Sequence, residues 1–131
     1  MSQASTLLMD TTVLIDVLRN RNDRRRLLAS LVLSGQELAT SAICVAEVYG
    51  GMRRGEEVAT RALLAGIEQI PVSAAIGERA GNLKADFRRL GQTRSIADMI
   101  VAGTALERGC ALATDNQKDF QVPGLSLFPL P

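Results

Sequence analysis

The sequence predicts an α/β fold, a three-layer α/β/α sandwich around a mostly parallel central sheet. Two observations carry that prediction. Short apolar runs of strand character recur along the chain, and between them lie stretches of helical spacing long enough to cross back over a sheet. With 131 residues, 47% of them hydrophobic, the chain can bury one genuine core and is too short for two ordinary domains. Residues 1–131 are therefore read as one domain, with no internal repeat, low-complexity tract or linker.

The elements follow in order. A strand is expected over Thr6 to Met9, then a helix near Thr12 to Leu18 and a second from about Asp23 to Leu33, with Gly35 closing that hairpin. "ELATS" reads as a second strand. It is followed by a helix from Ala42 to about Arg53, stopped among Gly50, Gly51 and Gly55. Another helix is expected over Glu56 to Glu68. "QIPVS" is strand-like, "AAIGERAGNLKADFRRLG" has helical spacing with Gly91 as its stop, and "SIADMIVAGTALERG" is a helix ending at Gly109. "CALATD" reads as a buried strand, and the tail "PGLSLFPLP" holds one last extended segment between prolines.

Composition removes several kinds of chemistry. The sequence contains no histidine, which excludes Ser-His and Cys-His catalysis, His-ligated zinc and a His general base. Any reaction must run on carboxylates, hydroxyls and cations. Cys44 and Cys110 sit far apart in apolar stretches, as reduced core thiols of a cytosolic protein would. "MSQAS" has neither a basic leader region nor a long apolar core, and no apolar run approaches a membrane span, so a cytoplasmic protein is expected. The formal net charge is +1, but Lys and Arg together number 15, and only Lys84 and Lys118 are lysines. The arginines gather at Arg19, Arg21, Arg24, Arg25 and Arg26, at Arg53 and Arg54, and at Arg88, Arg89 and Arg94. Guanidinium forks match phosphate oxygens well, so these groups are either contacts for a nucleic-acid backbone or solvated helix faces.

In a parallel sheet the carboxyl ends of the strands share one edge with the N-termini of the helices that follow, and ligands bind there. Acids arrive at that edge from several segments. Asp10 ends the first strand, where it either caps the next helix or lines a site. Glu47 interrupts the apolar "TSAICVAEVYGGM" about 1.5 turns into its helix, which keeps it within about 8 Å of the edge; otherwise it is one exposed acid on a buried helix. Asp98 lies in the first turn of "SIADMIVAGTAL", three residues after Ser95, in a pattern like a capping box and favoured by the helix dipole. The strand "ALAT" releases Asp115, Asn116 and Asp119 in quick succession, either as turn chemistry or as a fourth contribution. Asp16 faces the same edge or solvent.

Independent capping and turn roles do not predict a common address. Carboxylates gathered within several ångströms repel one another and must protonate, splay apart or share a cation. A hard divalent ion such as Mg²⁺ or Mn²⁺, which takes oxygen ligands from a few carboxylates plus waters, resolves the conflict. Asp10 is therefore read as one wall of a metal site.

At this point the motifs "LLMDTTVLIDVL", "TSAICVAEVYGG", "IADMIVAGTALERG" and "LATDNQKDF" together resemble those of PIN-domain ribonucleases of the VapC/FitB-like toxin group. They stand in that family's order and approximate spacing over essentially the whole chain. The resemblance implies a metal-dependent endoribonuclease that acts as the toxin of a bacterial toxin–antitoxin pair, with RNA as substrate. It also implies silencing by a VapB-type antitoxin and a homodimeric state. By this resemblance Asp10, Glu47 and Asp98 correspond to the family's three core acids that hold divalent metal, and Thr114 to its Thr at the end of the fourth strand. Two positions depart from the pattern. Thr12 stands where many members carry Asn. Asn116 stands where the fourth acid generally falls, which leaves Asp115, Asn116 and Asp119 as alternatives for completing the site.

Two other readings stay open on sequence alone. A receiver-like signalling domain also collects acids and Mg²⁺ on the carboxyl edge. It needs adjacent acids after the first strand, an acceptor Asp after the third and a Lys after the last, and this sequence has none of these. A PIN fold that has lost activity and serves as an interaction module is the other.

Overall fold

The computed structural model describes residues 6–131, so the reading of "MSQAS" lies outside the described residues. The order of elements is β1 (Leu7–Met9), α1 (Thr11–Leu18), α2 (Arg24–Leu33), β2 (Leu38–Ser41), α3 (Ala42–Gly50), α4 (Glu57–Ala65), β3 (Glu68–Ile70), α5 (Ala74–Arg89), α6 (Ile96–Arg108) and β4 (Ala111–Ala113), followed by a 3₁₀ turn at Gln117–Phe120. The four strands form one sheet in the order β3-β2-β1-β4, and every pairing between them is parallel. Leu7 lies opposite Leu38 on one side and Ala111 on the other. A helical crossover between successive strands returns the chain to the same end of the sheet each time, which is why the pairing is parallel.

Strands β1, β2 and β4 are largely buried on both faces, as a parallel sheet sandwiched by helices requires, while the edge strand β3 leaves Glu68 and Gln69 exposed. Alternation assigns Leu8, Ala39, Ile70 and Leu112 to one face, where they meet Ile76, Ala80 and Phe87 of α5 and Met99, Val101 and Ala102 of α6. Leu7, Met9 and Ala113 point the other way, against Val13 and Leu14 of α1 and Leu64 of α4, with Leu28 and Leu31 of α2 packed alongside. Helix α3 serves both layers, placing Cys44 in the first core and Val48 in the second. The two helices of the first layer approach closely at Gly103, where a Cβ would stand 3.3 Å from the Ile76 carbonyl oxygen.

Several boundaries differ from expectation for physical reasons. Helix α3 stops at Gly50, with the Gly51 amide bonding back to the Glu47 and Tyr49 carbonyls. Helix α4 ends at Ala65 and not at Glu68, because Glu68 is recruited into β3 opposite Ala39. That strand ends at Ile70, ahead of Pro71, which has no N–H for the ladder. The tail forms no full strand. Leu127 makes a single parallel bridge to Leu112, flanked by Leu112 N to Ser126 O and Phe128 N to Leu112 O, and Pro129 follows at once. Helix α6 matches its signals: Ser95 caps its start, and Gly109 at φ 65° caps its end. Among the described residues no helix is long and apolar enough to cross a membrane.

Candidate active site

The strand order fixes where a site can form. From the central β1 the chain builds outward through β2 to β3, then returns to lay β4 on the other side of β1. The switch point of the sheet therefore lies between the carboxyl ends of β1 and β4, the position at which open α/β sheets bind ligands. Asp10 follows β1 directly and Thr114 follows β4 directly.

Asp10 is 7% exposed, and its two carboxylate oxygens have separate partners. It is the N-cap of α1, its Oδ1 accepting the Thr11 amide at 2.8 Å. Its Oδ2 accepts the Thr114 hydroxyl at 2.7 Å. The Cys44 thiol, a weak donor, lies 3.9 Å from Oδ1. Burial pushes the Asp10 carboxyl above the ordinary carboxylate range; the Thr114 hydroxyl and the Thr11 amide oppose this, and the charges of Asp98 and Glu47 add to it.

Glu47 reaches the same place from α3. It is exposed, and its Oε1 accepts the Thr11 hydroxyl at 2.6 Å, so Thr11 serves one acid with its amide and another with its hydroxyl. Asp98, half-buried at the start of α6, gives its amide to the Ser95 hydroxyl at 3.0 Å. Its carboxyl is also pushed up, by burial first and then by the charges of Asp119 and Glu47, with the Ser95 hydroxyl and the nearby Arg94 opposing. Arg94 stacks over Phe87 with its guanidinium carbon 4.5 Å from the ring centroid. Asp10 thus feels the charges of Asp98 and Glu47, and Asp98 those of Asp119 and Glu47.

The segment after β4 fans its side chains toward three partners. Buried Thr114 turns to Asp10 and also accepts the Asn116 amide on its Oγ1 at 3.0 Å. Asp115 turns outward to Arg24, Oδ1 to Nη2 at 2.6 Å. The Asn116 side-chain amide donates to Asp119 Oδ2 at 2.6 Å, which ties Asp119 to the acid group. Asp16 is bonded into the α1–α2 turn, its Oδ2 accepting the Asn22 side-chain amide at 2.8 Å. Thr12 is exposed.

The Arg24 to Arg26 cluster is not a uniformly solvated face. Arg24 is buried at 4% exposure. Arg25, though exposed, donates to the Val17 and Leu18 carbonyls at the end of α1, where a cation suits the helix dipole, and Arg26 lies open beside Asp23. The helical spacing of α2 separates three consecutive arginines onto different faces, which a reading of their adjacency misses. Sequence reasoning gave no site contact to Thr11 or Cys44, and read Arg24 only as one of the grouped arginines. Thr11 follows Asp10 directly, and Cys44 precedes Glu47 by three residues and so shares its side of α3; those spacings were available signals. Nothing local to Arg24 marks it.

The donor set is hard oxygen throughout, the kind that suits Mg²⁺ or Mn²⁺. Among the described residues, no three acidic or thiol side chains stand close enough together to grip an ion as they are placed. A cation would have to draw them in, and the burial and mutual repulsion that push Asp10 and Asp98 toward protonation are what it would relieve.

The fold and this gathering define a class, a parallel α/β sandwich with acids assembled at its switch point. The chain belongs to the PIN-domain family, whose PIN domain model matches residues 7–124. Ribonuclease VapC10 of Mycobacterium tuberculosis is 36% identical over 110 residues, covering 84% of this chain and 82% of that protein. The structure of VapBC2 from Rickettsia felis bound to a DNA fragment from their promoter matches with a TM-score of 0.83 at 22% identity, covering 96% of this chain and 99% of that one. A toxin–antitoxin complex from Klebsiella pneumoniae matches with a TM-score of 0.76 at 28% identity, covering 95% and 98%.

Proposed function

We propose that this chain is an endoribonuclease toxin of a toxin–antitoxin pair that hydrolyses RNA phosphodiester bonds with a divalent cation, Mg²⁺ or Mn²⁺, held by Asp10, Glu47 and Asp98. The observation that carries the reading is the position of Asp10: nearly buried at the switch point, fixed by Thr11 and Thr114, and exposed to the charges of Glu47 and Asp98. When bound, the cation supplies Lewis acidity toward the phosphodiester and makes water more acidic. The chain's own residues supply the rest. Thr114 orients the Asp10 carboxylate, Thr11 holds Glu47, and Ser95 fixes the start of α6 that carries Asp98. Asn116 and Asp119 complete the acid-lined edge, while Asp115 acts from outside it.

Membership of the PIN family and the 36% identity to a ribonuclease support RNA as the substrate. The likeness to a toxin–antitoxin complex supports a VapB-type antitoxin as the controlling partner. We take the chain to work as a homodimer in the cytoplasm, with residues 1–131 as one PIN unit. Recognition of the RNA rests on the backbone, since aromatic residues make up 3% of the chain and base stacking needs them.

The test is cleavage of labelled RNA by the purified protein with added Mn²⁺, with EDTA, and with Asp10→Asn. Cleavage by the parent alone, abolished in the other two, is the expected result. Cleavage that survives EDTA, or a folded Asp10→Asn variant as active as the parent, overturns the metal site.

A further inference from the structure

We infer that Arg24 is a positioning residue: through its ion pair with Asp115 it holds the corner after β4 in the conformation that aims Thr114 at Asp10 and Asn116 at Asp119. The inference rests on the nuclease reading and deepens it by assigning a residue that touches none of the reacting groups.

Arg24 opens α2, far in sequence from the acids, yet its side chain is only 5% exposed. Burying a guanidinium is costly unless its charge is met, and the side-chain carboxylate that meets it is Asp115: Nη2 lies 2.6 Å from Asp115 Oδ1. The remaining donors are used sparingly. Nη1 bonds to the Asn22 carbonyl oxygen at 3.4 Å and to a main-chain oxygen of Pro131, the last residue of the sequence, at 3.1 Å, and Nε has no partner among the described residues. A group placed for core stability alone would be satisfied more fully, or would be apolar.

The turn that presents Arg24 is itself unusual. Asn20, Asn22 and Asp23 all adopt positive φ, at 53°, 54° and 58°, in a region that few side chains enter. Asp16 of α1 secures this turn by accepting the Asn22 side chain. A continuous set of bonds therefore runs from Asp16 through Asn22 to Arg24 and on to Asp115.

Asp115 is the middle of three consecutive residues with separate partners. Thr114 on one side bonds to Asp10, and Asn116 on the other bonds to Asp119. The Asn116 amide also closes onto the Thr114 hydroxyl at 3.0 Å. Fixing Asp115 from the α2 side leaves its two neighbours a single direction, toward the acid group. Released from Arg24, the corner can rotate, and both site contacts loosen together.

The experiment is a double-mutant cycle on the full chain, with Arg24→Met, Asp115→Asn and the double variant. It compares kcat and KM for labelled RNA, Mn²⁺ affinity from the electron-spin signal of free Mn²⁺, and hydrogen exchange at the Asn116 amide. Supporting partners around metal sites typically contribute about tenfold in affinity or activity, so each single variant should lose about tenfold in kcat and in Mn²⁺ affinity with KM unchanged. The double variant should be no worse than the weaker single, because both substitutions remove one interaction. Asn116 exchange should accelerate in all three. A merely structural Arg24 would lower the melting temperature and leave kcat, Mn²⁺ affinity and Asn116 exchange at parental values, which overturns the inference. Losses that multiply in the double variant overturn it too, since Asp115 would then act in the site on its own. Should Arg24→Met fail to fold, Asp115→Asn, at an exposed position, decides by the same readouts. A parent that cleaves no RNA defeats the nuclease reading, while Mn²⁺ affinity and Asn116 exchange still judge the coupling.

Discussion

The Thr114 hydroxyl donates to Asp10 Oδ2 at 2.7 Å, joining residues 104 positions apart across the switch point of the sheet. Both groups are buried, so neither has water in reserve. Thr114→Val removes the donor and leaves a desolvated carboxylate, a loss of about 1–3 kcal/mol. The sign with pH follows from the direction of the Asp10 shift. Its folded value already lies above the unfolded one, and the Thr114 hydroxyl restrains that rise. Without the hydroxyl the folded state binds its proton still more readily, so the deficit of the valine variant is greatest above the folded value and shrinks as pH falls through it. Urea denaturation at neutral and acid pH checks this, with Thr114→Ser as the control that keeps the bond. A valine deficit equal at both pH values would remove Asp10 as the beneficiary.

Thr11 divides its amide and hydroxyl between Asp10 and Glu47. Thr11→Val keeps the amide and loses only the hydroxyl. Since Glu47 is exposed, the stability change should stay within about 0.5 kcal/mol, while RNA cleavage should fall several-fold and recover in Thr11→Ser. Parental cleavage by the valine variant would show that Glu47 needs no such restraint.

Cys44 stands against Asp10 with no exposed surface. Burial pushes its thiol up to about 11, with the Asp10 charge adding to the rise and the Thr11 and Thr40 hydroxyls opposing it. At pH 7 the thiolate is then about one part in ten thousand, and the thiolate is the reactive form. Cys110 is buried and shifted upward as well. A thiol-reactive disulfide reagent should leave both cysteines unlabelled in the native protein and label both after denaturation. Rapid native labelling of Cys44 would contradict a sealed site.

The legible part of this protein was whatever local chemistry decides. The apolar run Leu7–Met9 stopped by an acid, Ser95 before α6 and Gly109 after it are signals that act within a few residues, and parallel topology then sends Asp10, Glu47 and Asp98 to one edge whatever the details of packing. The ends of α4 and β3 were not legible, because Glu68 joins the sheet through pairing with Ala39, a partner that helical spacing cannot reveal. The choice among Asp115, Asn116 and Asp119 was closed to sequence for the same reason. In the site proposed above it turns on contacts that no local pattern carries: Arg24, 91 residues away, bonds to Asp115, while Asn116 bonds to Asp119.

Asp98 is where capping and site roles make opposite predictions. The cap of α6 is the Ser95 hydroxyl accepting the Asp98 amide, a bond that Asp98→Asn retains. The carboxylate itself is pushed upward by burial, Asp119 and Glu47. Between the ordinary carboxylate value of the unfolded chain and its higher folded value, the folded state holds more protons than the unfolded, so the parent loses stability as pH rises through that window. The asparagine variant has no such group. Without divalent ions at neutral pH it should therefore melt at the same temperature as the parent or higher. Added Mn²⁺, bound only by the folded state, should raise the parent's melting temperature by mass action and the variant's much less. Melting curves of both proteins in EDTA and in millimolar Mn²⁺ give both signs at once. A variant that is less stable in EDTA yet gains as much from Mn²⁺ as the parent would return Asp98 to a helix-dipole role, and the site would lose its third acid.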